Sequence, residues 1–323
     1  MSSEPLVLYT AANSVARVVM NRPRSMNAMS RGMITELRSV LERATSDEDV
    51  AIIVLTGAGG NFCAGDDLKA SEHQTADDFL ALIMDLQRIT RLLLLGAKPC
   101  IAAVDGYAVG GGFELALACD FRVATTRARM GCVEASVGMV VTGGTTVLLP
   151  QLVGQGMARE IIMLADIFEA NTAQSMGLLH RLVESEQLDA SVHELAGKLL
   201  SRAPLALRES KYLLNRPLEA DLEQAFYNEL EAIMRCFGTA DAHEATVAFR
   251  EKRPPVYKGN KDSTLLRLVE SGAINQAPTI VPAVGRRDVI VGVSRNSGGA
   301  WLSRIAPDHH SWARHYTHWR DQV

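Results

Sequence analysis

The chain has 323 residues, 47% of them apolar and 22% charged, with a formal net charge of −4. That balance suits a globular protein with a substantial core and excludes wholesale disorder. It also lacks the basic footprint of a nucleic-acid binder, the long apolar run of a membrane helix and, at residues 1–10, any targeting pattern.

Residues 6–10 and 15–20 predict β-strands, rich in branched side chains and joined by a polar turn at Asn13 and Ser14. After Asn21, Arg22 and Pro23 a helix is predicted, with Ser30 as its N-cap and Met33, Leu37, Val40 and Leu41 at helical spacing. Residues 50–56 are almost continuously apolar, as in a parallel-sheet strand covered on both faces, and end in the loop Gly57-Ala58-Gly59-Gly60. A second helix is predicted over about 75–95, stopping at Gly96. Residues 100–104 repeat the buried-strand pattern and run into Asp105 and Gly106. This alternation indicates an α/β layered fold.

Beyond residue 140 helices dominate, at 188–201, 204–214, 221–236 and 241–252. The composition changes at Lys252-Arg253-Pro254-Pro255, and all three tryptophans and four of the eight histidines follow it. The expected organisation is a catalytic core over 1–200, a helical region over 201–259 and an extension over 260–323. The cysteines at 63, 100, 119, 132 and 236 form no C-x-x-C pair and read as reduced, buried thiols of a cytoplasmic protein.

Two segments carry the chemistry. Asn61-Phe62-Cys63-Ala64-Gly65-Asp66-Asp67-Leu68 is a small-residue turn leaving a buried strand, where a backbone amide can approach a ligand closely. After the next buried strand, Gly110-Gly111-Gly112 open a short apolar helix whose free N–H groups suit an anion. A glycine run alone is also explained by a structural turn, and the dinucleotide fingerprint is not satisfied here. Glu114 is flanked by apolar residues, and Glu134 sits in a similar setting twenty residues later. Either glutamate alone can be structural. Together, each beside a glycine-rich turn, they suggest paired acid/base work.

The order of these blocks resembles the crotonase (enoyl-CoA hydratase/isomerase) family over residues 5–258. The matching blocks are N-R-P-x-x-x-N-A-M at 21–29, VLTGAGGNFCAGDDL at 54–68, KPCIAAVDGYAVGGGFELALACD at 98–120, VEASVGMVVTGGTTVLLPQLVG at 133–154 and AFREKRPP at 248–255. The resemblance implies a ClpP-like spiral of repeated β-β-α units, its sheets nearly perpendicular, followed by a C-terminal helical region. It implies an oxyanion hole from the backbone N–H groups of Asp66 and Gly111. Glu114 would then position and deprotonate a water attacking Cβ, and Glu134 would deliver a proton to Cα. Ala64, Asp66, Asp67, Leu68, Lys69 and Gly111 would line the thioester and part of coenzyme A.

The implied reaction is reversible hydration of a trans-2-enoyl-CoA to a 3-hydroxyacyl-CoA in fatty acid metabolism. Coenzyme A enters as part of the substrate, with no metal and no separate cofactor. The implied assembly is a homotrimer or a dimer of trimers, without nucleic-acid or membrane partners. Isomerisation, thioester hydrolysis, dehalogenation and C–C cleavage share the same oxyanion chemistry, but isomerases usually keep one of the two glutamates. A non-catalytic binding protein would show a lost glutamate or an added basic helix, and neither is evident over 1–259. His309, His310, His315 and His318 lack the carboxylate or cysteine spacing of a metal site. One departure concerns Asp66, whose carboxylate beside a developing anion is unfavourable unless it points away or is paired.

Overall fold

A computed structural model describes residues 4–67 and 75–259; Leu68, Lys69 and the extension 260–323 lie outside the described residues. β1 (Val7–Ala12) pairs antiparallel with β2 (Val15–Met20) through Asn13 and Ser14. Both turn residues have positive φ (51° and 61°), the twist that a two-residue hairpin requires. In α1 (Arg31–Ser46) the Ser30 hydroxyl accepts the Met33 N–H at 3.4 Å, and Met33, Ile34, Leu37, Leu41 and Ala44 form its buried stripe.

β3 (Ile52–Gly57), β4 (Cys100–Val104), β6 (Phe121–Thr125) and β9 (Arg181–Val183) continue the sheet in parallel, giving the order β1-β2-β3-β4-β6-β9. The expected double coverage of the apolar strands holds. Ile53 and Leu55 of β3 enter the main core, whereas Ile52 and Val54 face the other way, onto Leu188, Val192 and Ala196 of α6 (Leu188–Leu200). α2 (Ala76–Leu94) begins with a reciprocal cap between Thr75 and Asp78.

The second layer is made of short segments. β5 (Tyr107–Val109), β7 (Arg129–Gly131) and β8 (Phe168–Glu169) form a three-stranded sheet. Each long strand is therefore followed by a short one in the other layer: β4 by β5 and then α3 (Gly111–Ala118), β6 by β7 and then α4 (Thr145–Leu164). The segment leaving β3 joins this layer, because Cys63 bridges to Ala108 of β5 and Asp66 to Met29. This is the expected α/β spiral of β-β-α units.

The remaining helices are α5 (Ala170–Ser175), α7 (Pro204–Cys236) and α8 (Ala240–Glu251). The two helices expected at 204–214 and 221–236 are one, with Pro217 inside it. Proline deletes a single backbone bond there, and packing on α2 compensates. Asn215 Nδ2 donates to Leu94 O at 2.7 Å, Gln87 Nε2 to Phe226 O at 2.8 Å, and Arg91 pairs with Glu223 at 2.6 Å. Further along α7 from its start, Lys211 is buried and bonds to Asp120 Oδ2 (2.7 Å), Leu93 O (2.6 Å) and Lys98 O (2.8 Å). All five cysteines are free thiols, four of them buried. No helix among the described residues is long and apolar enough to cross a membrane.

Candidate active site

Neighbouring turns of the second layer create the site. Cys63 N donates to Tyr107 O at 2.8 Å and Val109 N to Cys63 O at 3.1 Å, which locks the segment leaving β3 beside β5. On its other edge Met29 N donates to Gly65 O at 2.8 Å and Asp67 N to Met29 O at 3.1 Å. The Gly65–Asp66 peptide is trans, so with its carbonyl turned to Met29 its N–H points to the opposite side. Gly111 opens α3, and its N–H has no acceptor within the helix. A Cβ on Gly65, which has φ +83°, would stand 2.9 Å from Val109 O and 3.5 Å from the Gly111 nitrogen. Only glycine lets the two turns approach this closely.

Three carboxyls gather at this turn. Glu114, in the first turn of α3, is buried; its Oε1 accepts the Thr142 N–H at 2.5 Å and its Oε2 the Thr142 hydroxyl at 2.8 Å. Burial holds its carboxyl well above the ordinary range, and the charges of Glu134 and Glu229 add to this against the Thr142 bonds. Glu134 begins a 3₁₀ turn (Glu134–Val137), and both of its carboxyl oxygens are buried without a hydrogen-bond partner among the described residues. Burial first, with the nearby charge of Asp66, pushes it up to about 7. A Cβ on Gly110 would lie 3.4 Å from Glu134 Oε1, which fixes this carboxyl at the mouth of α3.

Asp66 completes the group. Its Oδ1 is buried without a partner, and burial pushes its carboxyl up to about 6. It stands 3.6 Å from the position a Cβ on Gly111 would take, so it faces the site and is unpaired at that oxygen. The conflict read from the sequence is therefore present in the fold. Asp67 instead turns to Arg22, Oδ2 to Nη2 at 2.9 Å, and Ala64 N donates to Met26 O at 3.0 Å. Asp66, Gly111, Glu114 and Glu134 thus come together, while the expected lining residues Leu68 and Lys69 lie outside the described residues.

Several residues around the site carry no role in the sequence reading. Buried Asn27 holds the loop before Phe62, with Nδ2 donating to Ala58 O at 2.9 Å and Asn61 O at 2.7 Å. Thr142 is the hydrogen-bonding partner of Glu114. Glu229 of α7 is buried, and it accepts the N–H groups of Gly144 (2.8 Å) and Thr146 (3.0 Å) and the Thr146 hydroxyl (2.6 Å). Its signal in the sequence is a charge at a core position: Leu222, Phe226, Leu230 and Ile233 fall on the same helical stripe.

The sequence pattern of the enoyl-CoA hydratase/isomerase family matches residues 10–260. Crotonyl-CoA hydratase of Syntrophomonas wolfei is 36% identical over 248 residues, which cover 76% of this chain and 95% of that protein. Mitochondrial methylglutaconyl-CoA hydratase of Homo sapiens is 35% identical over 244 residues, 74% of this chain and 72% of that one. Among solved structures, an enoyl-CoA hydratase from Mycobacterium avium subsp. paratuberculosis superposes with a TM-score of 0.72 at 26% identity, covering 78% of this chain and 98% of that one.

Proposed function

The chain belongs to the enoyl-CoA hydratase/isomerase family, and from that premise we propose that it reversibly adds water to a trans-2-enoyl-CoA, giving a 3-hydroxyacyl-CoA. The observation that carries this reading is the unlike pair of carboxyls at the mouth of α3. Glu114 is hydrogen-bonded by Thr142, and Glu134 is buried with no partner. The Thr142 N–H and hydroxyl favour the charged form of Glu114 against the burial that raises it. Neither carboxyl oxygen of Glu134 has a hydrogen-bond partner among the described residues; in this reading Glu114 is the base and Glu134 carries the proton. Burial raises both carboxyls, so protons leave the pair and not either residue alone.

The thioester oxygen lies between the N–H groups of Asp66 and Gly111. Glu114 takes a proton from water as the water oxygen bonds to Cβ. The π electrons of the double bond move to the thioester oxygen, where the two amides stabilise the enolate by about 3 kcal/mol each. Glu134 then gives its proton to Cα. Proton transfer of this kind contributes a factor of roughly 10² to 10⁴. The chemistry moves only protons and water, and coenzyme A enters as part of the substrate.

The same reading places the enzyme in fatty acid metabolism, in the cytoplasm, as a homotrimer or a dimer of trimers. Exposed Met163, Leu164, Leu205, Leu213 and Leu214 support an assembly, and the free thiols fit a reducing compartment. The test is loss of the conjugated enoyl absorbance across short, medium, branched and aromatic enoyl-CoA thioesters, with the hydrated product weighed by mass spectrometry. Thioester binding with no hydration of any of them would overturn the proposal.

A further inference from the structure

A buried acid on the last long helix is unused by this chemistry, yet it is tied to it. Glu229 holds the turn at 142–146 from one side through Gly144 N, Thr146 N and Thr146 Oγ1. Thr142 of that turn holds Glu114 from the other side through its N–H and hydroxyl. There is little slack between them. Gly143 has φ +63°, and a Cβ there would stand 3.1 Å from Glu114 Oε2 and 3.4 Å from Thr90 Oγ1. A Cβ on Gly144 would stand 2.7 Å from Leu222 Cδ2, one turn of α7 before Phe226.

Burial raises the Glu229 carboxyl, and the three donors converging on it oppose that and favour its charged form. A displaced Glu229 would leave two backbone N–H groups unsatisfied at the start of α4. We infer that Glu229 is a positioning residue for Glu114, fixing the carboxylate that faces substrate through the Thr142–Thr146 turn. The inference rests on the reading of Glu114 as the base of the hydration.

Glu229 also acts through its charge. The ionisable groups facing Glu114 are Glu134 and Cys132 from the β7 turn and Glu229 from α7; the nearby polar group of α2 is the neutral Thr90 hydroxyl. Neutralising Glu229 removes the α7 carboxylate charge that helps to raise Glu114. The base then loses its proton at lower pH, and the acid limb of kcat/KM moves down.

The experiment is E229Q, with E114Q measured beside it, on whichever enoyl-CoA is turned over fastest. E229Q should cut kcat roughly 10- to 100-fold, the scale of a small misplacement of a reacting group. KM should be nearly unchanged and the acid limb displaced to lower pH, a change that loosened packing alone does not produce. Thr142→Val removes the hydroxyl bond and keeps the N–H bond, so in that background E229Q should cost less than it does in the wild type. Folded E229Q with wild-type kcat and an unmoved acid limb overturns the inference, and so do additive losses in the double variant. If E229Q does not fold, Thr146→Val removes one of the three bonds and is read by the same cycle with Thr142→Val. Wild-type turnover in E114Q would instead sink the assignment of Glu114 itself.

Discussion

The short-stranded layer and the C-terminal helices contribute to the site in opposite ways. The layer and the helix α3 that it opens supply the groups proposed to touch substrate: the turned peptides at Asp66 and Gly111 and the carboxyls of Glu114 and Glu134. The C-terminal helices supply none of these, yet they brace both glutamates. α7 reaches the Glu114 turn through Glu229. The Tyr257 hydroxyl, following α8, donates to Ser136 O at 2.5 Å in the Glu134 turn. A Cβ on Gly138 of that turn would stand 3.1 Å from Ala242 Cα of α8. The layer achieves its geometry by backbone pairing, while the helices impose theirs by side-chain hydrogen bonds and close packing. The first kind tolerates side-chain change; the second does not.

The largest expected effect is in the layer. E114Q and E134Q should each reduce turnover by about 10² to 10⁴ while leaving the calorimetric affinity for a saturated acyl-CoA nearly unchanged. Near-wild-type rates in either would break the division of labour. Glu134 should also show a stability signature. Its folded-state value of about 7 lies above the ordinary 4.5, so wild-type stability falls as pH rises from about 4.5 to 7, and E134Q should melt higher than wild type above that window.

Next in size, K211M tests the helical side by leaving Asp120 buried without its cation. Loss of one partner of a buried pair costs roughly 3–5 kcal/mol in urea unfolding, and D120N in the same chain should restore part of it. Equal stability of K211M and wild type would show that the Lys211–Asp120 pair does not hold α7. A smaller effect is expected from D66N. Asp66 titrates at about 6 instead of 3.8, so the folded protein loses stability between those values as pH rises. D66N should melt higher than wild type at pH 7.5 but equally at pH 3.5. Without the Asp66 charge, Glu134 should release its proton earlier and the alkaline limb of the rate profile should move to lower pH. The smallest effect is assigned to truncation after Gly259. The family match ends at residue 260, and specific activity and sedimentation should stay at wild-type values; a change in either would give the extension a role.

The sequence carries the site more legibly than it carries the supports. Glu114 and Glu134 stand out because a carboxylate amid apolar residues demands a reason, and the flanking glycines supply a location. β3 and β4 are readable as doubly covered strands because both of their faces are apolar. β5, β7 and β8 run for three, three and two residues, too few to show a period, so the layer that brings Asp66 to Gly111 is invisible until the chain is folded. α4 hides behind Pro150 and the non-helical Gly154. Glu229 is visible only as one charge in an apolar stripe, and its partners at Gly144 and Thr146 lie more than eighty residues away.

The ladder between Met29, the 63–67 segment and β5 has a consequence for how such an enzyme diversifies. The spacing of the two amides is set by main-chain pairing among segments that leave neighbouring strands, and not by the loops that connect them. Insertions or deletions elsewhere, for instance between Asp67 and the start of β4, leave that pairing intact. A lineage can therefore exchange one acyl group for another by rewriting connections, while inheriting unchanged the device proposed to stabilise the enolate.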